Sequence, residues 1–137
     1  MQKKPPVRRT PTRGVRPADV RRLLLRLPNI SRGRTHGHPS FLLNGQFLAR
    51  FRDDDTVLVL RLATIDDRAL LMELDSRAFF FTDHYRNYAT VLIRLAEVPP
   101  GLLASVVRDS WRHVAAVTTA EGHSKRRKGK ARRRAAT

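Results

Sequence analysis

With 137 residues the chain can bury one modest core and not two. It has no cysteine, which excludes a disulfide framework, a thiolate metal site and a cysteine nucleophile. Its net charge of +16 points to a polyanionic partner.

No apolar run approaches the roughly 18 residues of a membrane span. No apolar stretch of the kind a targeting segment needs follows the basic N-terminus. The expected location is the cytoplasm, whose reducing conditions suit a chain without cysteine.

The charge is unevenly placed. Residues 1–16 carry six Lys or Arg and no acid. Residues 121–137 carry Lys125, Arg126, Arg127, Lys128, Lys130, Arg132, Arg133 and Arg134 against Glu121 alone. Residues 17–120 hold fourteen Arg against eleven acids. Neither end offers enough apolar surface to offset chain entropy, so the reading is two disordered basic arms around one folded domain. Each cation that neutralises a phosphate releases counterion, so such arms bind nucleic acid in a salt-sensitive, sequence-blind way. A solubilising tail, or one meeting an acidic protein or membrane surface, is the plainer alternative. "KRRKGK" also resembles a nuclear import patch.

In chain order, "RPADVRRLLLRLP" predicts a helix. Pro17 suits the first helical position, Asp19 the first turn, and Val20, Leu23, Leu24 and Leu27 form one stripe ended by Pro28. Three strands are expected next, at about 39–42, 46–52 and 56–62. Asn44-Gly45 is a strong turn signal. A three-residue loop Leu43-Asn44-Gly45 would set Phe41 opposite Phe47, so that Phe41, Phe47, Ala49 and Phe51 share the buried face. A turn at Asp54-Asp55 adds Leu58, Leu60 and Leu62 to that face and leaves Arg50, Arg52 and Arg61 on the other.

Thr64 is the expected N-cap of a second helix, "TIDDRALLMELD", with a buried stripe of Leu70, Leu71 and Leu74. Two more strands follow, about 78–82 and 90–96, joined by "DHYRNYA". Val91, Ile93 and Leu95 point in; Leu92 and Arg94 point out. A last helix, about 100–116, buries Leu103, Val106, Val107, Ser110, Trp111 and Val114. The order α-β-β-β-α-β-β-α implies an α+β, two-layer fold, with helices packed on one face of an antiparallel sheet.

These elements carry a resemblance. "HGHPSF" entering the first strand, "NGQFLARF" across the turn, "DDTVLVLRL", "FFFTDHYRNYATVLIRL" and "DSWRHV" resemble, in order and spacing, the MmcQ/YjbR family of small bacterial proteins. The likeness spans roughly 17–117. It implies the α-β₃-α-β₂-α order and a DNA-binding role with two hairpin wings. Many relatives carry Trp at the place of Tyr88 and Tyr at that of Trp111, exchanges between packing positions. The arms lie outside the likeness.

Three constellations invite chemistry. His36 and His38 are spaced to chelate one metal from a strand, with His84 or Asp83 as a third ligand. Gly37 between them points instead to a loop whose histidines bond backbone, or contact phosphate when protonated. Asp83-His84 beside Ser40 suggests a hydrolase, but strand neighbours face opposite ways and no G-x-S-x-G turn exists. At a hairpin tip, Tyr85 and Arg86 can instead stack on a base and contact phosphate. Finally, Arg50, Arg52, Arg61 and Arg94 form a basic face suited to bidentate phosphate contact. Trp111 and the Phe79–Phe81 run read as core.

The function expected is a small, non-enzymatic DNA-binding protein, sequence-nonspecific and nucleoid-associated, with no cofactor and no metal. RNA is an open alternative. The contrasting expectation is a domain binding a small ligand or protein partner near His36, His38, His84 and Tyr85.

Overall fold

The computed structural model describes residues 13–136, with side chains described through 119. The elements are α1 (Pro17–Leu25), β1 (Ile30–Thr35), β2 (His38–Leu43), β3 (Gln46–Arg52), β4 (Val57–Arg61), α2 (Ile65–Leu74), β5 (Phe79–Phe80), β6 (Thr90–Arg94) and α3 (Pro100–Ala136). A 3-10 turn, Asp83–Tyr85, lies between β5 and β6. The strands form one six-stranded antiparallel sheet in the order β1-β2-β3-β4-β6-β5, an α+β fold.

Four strands therefore precede α2, not three. β1 is the addition, and it reads poorly as a strand. Its sequence, "ISRGRT", has one apolar residue, and as an edge strand it buries none of its six residues. His36 and Gly37, at φ 50° and 81°, make the two-residue turn that pairs Thr35 with His38. Positive φ at both central positions is the signature of a tight hairpin, normally written Asn-Gly. Here His36 occupies the Asn position.

The β2–β3 register corrects the three-residue loop. Asn44 and Gly45, at φ 52° and 82°, form a two-residue turn with Leu43 opposite Gln46 and Leu42 opposite Phe47. Continued regularly, that register would turn Phe41 onto the face of Arg50. A bulge prevents it: Phe41 pairs with Ala49, leaving Leu48 as the extra residue. Leu48 and Ala49 both enter the core with Phe41 and Phe51, whereas Phe47 turns to the opposite face. Phe41 and Phe51 meet edge to face at 6.0 Å.

Beyond the bulge the expected pattern holds. Phe51 pairs with Leu58 and Ala49 with Leu60, and Leu58, Leu60 and Leu62 are core. Asp53, Asp54 and Asp55 all adopt positive φ in the β3–β4 turn, a conformation short polar side chains tolerate better than most. Val91, Ile93 and Leu95 face the same core.

α1 and α3 cover this inner face. Val20 and Leu24 of α1 are fully buried, as are Leu103, Val107 and Val114 of α3, with Val106 and Ser110 nearly so. Trp111 is half-buried and its Nε1 donates to the Pro28 carbonyl at 3.0 Å, tying α3 to the end of α1. Asn44 Nδ2 donates to Thr118 Oγ1 at 2.9 Å, so the β2–β3 turn is also held by α3.

The expected stripe of α2 is corrected. Thr64 caps the helix as anticipated, accepting from the Asp67 amide at 3.1 Å. Leu70 and Leu74, however, are 64% and 65% exposed, and Leu71 is only partly buried. The buried residue of this helix is Arg68, 4% exposed.

At the ends, 13–16 lie against the domain: Gly14 and Val15 donate to Val98 and Leu95 carbonyls, and Arg13 pairs with Asp75 at 2.8 Å. The rest of the N-terminal arm, 1–12, lies outside the described residues. α3 runs past the expected stop near Ala116 to Ala136, so 121–136 is helical backbone instead of the coil that composition suggested. Ala, Lys and Arg are strong helix formers, and like-charge neighbours cost only a few tenths of a kcal/mol each. Among the described residues no helix is long and apolar enough to cross a membrane.

Candidate nucleic-acid interface

The face of the sheet opposite α1 and α3 carries the arginines. Arg50 pairs with Val59, Arg52 with Val57 and Val57 with Arg94, while Arg61 pairs with Thr90. Alternation then puts Arg50, Arg52, Arg61 and Arg94 on one face. Between them Val57, Val59 and Leu92 form a second, smaller cluster with Phe47, Phe80 and Tyr85, to which no residue of α1, α2 or α3 contributes. Val59 and Leu92 are fully buried although no helix covers them. Packed against this cluster are Phe47, Phe80 and Tyr85.

Each guanidinium is oriented differently. Arg50 Nη2 donates to Tyr85 Oη at 2.9 Å. Arg94 lies 4.0 Å from the Phe80 ring centroid and donates to the Arg77 carbonyl at 3.0 Å. Arg52 meets Asp53 at 3.4 Å. Arg86, in the β5–β6 connection, pairs with Asp83 at 2.6 Å and is largely exposed.

Five of the eleven carboxylates in residues 17–120 pair with arginines away from this face. Asp19 pairs with Arg16 and Arg22, Asp55 with Arg21, Asp75 with Arg13, Glu97 with Arg77 and Asp109 with Arg112. Among the described residues, Arg50, Arg61 and Arg94 have no carboxylate partner. Three cations without carboxylate partners on one face form a local positive field able to take phosphate.

The β5–β6 connection beside this face is held from beneath by a residue that sequence reading missed. Arg68 Nη1 donates to the carbonyls of Tyr85, Tyr88 and Thr90 at 2.9, 3.1 and 3.3 Å, and Nη2 to that of Arg86 at 3.0 Å. Its guanidinium also stacks 3.9 Å from the Phe81 ring centroid. Burial, then the neighbouring Arg86 charge, pull its pKa below the usual arginine value. It is still the cation, because arginine does not lose its proton in proteins. The one sequence signal was spacing: Ile65, Arg68 and Met72 share a helical face on which Arg68 is the polar member.

The other candidates are not brought together. His36 sits in the β1–β2 turn and His38 begins β2, both exposed. His84 lies in the 3-10 turn before β6, so β3 and β4, about 14 Å of sheet, separate β2 from β6. Among the described residues no group of three or more His, Cys, Asp or Glu could hold a metal. Ser40 is buried and its Oγ donates to the His38 carbonyl at 2.9 Å, while Asp83 is occupied by Arg86. The proposed ligand region therefore reduces to His84 and Tyr85, whose rings meet edge to face at 4.7 Å. The side chains of Lys125, Arg126, Arg127, Lys128, Lys130, Arg132, Arg133 and Arg134 lie outside the described residues.

Comparison of the chain with known protein families, with curated proteins and with solved structures finds no match in any of the three.

Proposed function

We propose that this is a small, non-enzymatic nucleic-acid-binding protein that recognises the phosphate backbone of DNA without reading its sequence. The observation that carries the reading is the placement of Arg50, Arg61 and Arg94 on one helix-free sheet face without carboxylate partners. The eight cations between Lys125 and Arg134 would add affinity through counterion release. The likeness to the MmcQ/YjbR proteins favours the same partner, and a nucleoid-bound role follows from it. No described helix stands on the arginine face to enter a major groove, so specificity for base sequence is not expected.

The test is fluorescence anisotropy with a mixed-sequence duplex in 50 and 200 mM KCl. Three full-length proteins are compared: wild type, Arg50→Gln/Arg61→Gln/Arg94→Gln, and a chain with the eight cations between Lys125 and Arg134 changed to Gln. Each variant should bind more weakly. The salt slope should fall by about 0.9 for each phosphate that is no longer neutralised. Binding that neither variant weakens would overturn the reading.

A further inference from the structure

The outer face and the loop at its edge carry a feature that a duplex-binding surface does not need. Tyr88 is 60% exposed, in a loop whose backbone Arg68 holds through three carbonyls, with a fourth bond to Thr90 at the start of β6. The exposed His84 ring lies 6.4 Å from that of Tyr88, with 35° between their planes. The Tyr85 ring stands edge-on against His84, and its hydroxyl accepts from Arg50 on the basic face. An aromatic group on a braced loop thus adjoins a track of arginines that runs along β4 from the Arg94–Val57 pair to Arg61, about 13 Å.

Rings of this kind stack on bases. A duplex hides its base faces within the helix, whereas a single strand offers every one of them. The arginine face is an open sheet whose nearest covering groups are its own side chains. A flat surface of that form accepts an extended strand more readily than it enters a groove.

We infer that this site takes single-stranded nucleic acid, with phosphates on Arg50, Arg61 and Arg94 and bases stacked on Tyr88 and His84. The inference rests on the nucleic-acid reading above and names the form of the polymer. Arg68 is then a positioning residue: it fixes the loop that presents the rings and does not touch the strand.

The experiment uses the full-length protein in 100 mM KCl and three fluorescein-labelled probes: oligo-dT of 15 nucleotides, an abasic deoxyribose-phosphate 15-mer of equal charge, and a 15-base-pair duplex. The variants are Tyr88→Ala and His84→Ala, both exposed positions where folding is checked by thermal melting. Wild type should bind oligo-dT at least fivefold more tightly than either other probe. Tyr88→Ala should weaken oligo-dT binding about tenfold, the loss expected for one stacked base, while changing the other two less than twofold.

Equal loss on oligo-dT and the abasic strand would overturn the inference, since the ring would then act without bases. Tight duplex binding without oligo-dT binding would overturn it too and leave the backbone-binding reading standing. Binding to none of the three would overturn both.

Discussion

The guanidinium of Arg68 lies 3.9 Å from the centre of the Phe81 ring, on the side of α2 where a leucine would be the ordinary choice. Three of its four carbonyl acceptors, Tyr85, Arg86 and Tyr88, belong to the connection between β5 and β6, and the fourth, Thr90, opens β6. One side chain therefore adds donors across the whole connection, including to the Arg86 carbonyl, while the Tyr85 and Tyr88 carbonyls also accept from the amides of Tyr88 and Thr90.

Arg68→Met should keep the volume and lose the donors. The Arg86 carbonyl would be left to water or to nothing, while the Tyr85 and Tyr88 carbonyls keep the amides of Tyr88 and Thr90, and a cost of about 2 kcal/mol is expected. Arg68→Lys, with a point charge in place of the planar fork, should recover less than half of it. Urea denaturation measures both. A loss below about 1 kcal/mol for the methionine variant would show that the loop is held by other contacts.

Deleting Leu48 should be tolerated about as well as truncating it. Removal of the bulged residue leaves Leu42 opposite Phe47 and Phe41 opposite Ala49, so every remaining side chain keeps its face. The cost should be that of an emptied core position, about 2–4 kcal/mol, similar to Leu48→Ala. Deleting Arg50 instead would turn one side of β3 over and should unfold the domain. Circular dichroism and urea titration of the three variants separate these outcomes.

Leu70→Gln and Leu74→Gln should each change stability by less than about 0.5 kcal/mol, because both side chains are already mostly in water. Leu103→Ala in α3, which is 1% exposed, should cost about 2–4 kcal/mol. A large loss at Leu70 would restore the stripe expected from periodicity. Thermal melts decide it.

Asp75 links stability to pH. Burial alone would raise its pKa, but the Arg13 guanidinium and the amides of Ala78 and Arg77 outweigh it and hold the carboxyl below the usual aspartate value. The ionised form is therefore favoured by folding. Its stabilisation is present above the unfolded-state pKa, near 3.8, and is lost as pH falls through the lower folded value. Asp75→Asn should be less stable than wild type at pH 7, by about 1 kcal/mol, and the gap should close below pH 4. An undiminished gap at pH 3 would exclude the ionised carboxyl as its source.

The position of the arginine face was legible because it depends on alternation alone. From the Asp53–Asp55 turn, period two along β3 and β4 puts Arg50, Arg52 and Arg61 together, and β6 adds Arg94 by the same rule. The inner stripe of α3 was legible for the equivalent reason, since Leu103, Val107, Ser110 and Val114 repeat at helical spacing. β1 was not, because Ile30 is its one apolar residue and none of its six residues is buried, so no alternation betrays it.

By itself, then, the order of residues determined the class of the fold, the helix starts at Pro17 and Thr64, the turns at Asn44-Gly45 and at the three aspartates, and which arginines keep company. These are local or periodic properties, set by backbone sterics and by which faces must leave water. Only the tertiary structure decided that Leu48 bulges, that Arg68 and not Leu70 is the buried residue of α2, and that His36 and His84 stand apart. Those outcomes depend on what the rest of the chain brings within a few ångströms, and neither propensity nor period carries that information.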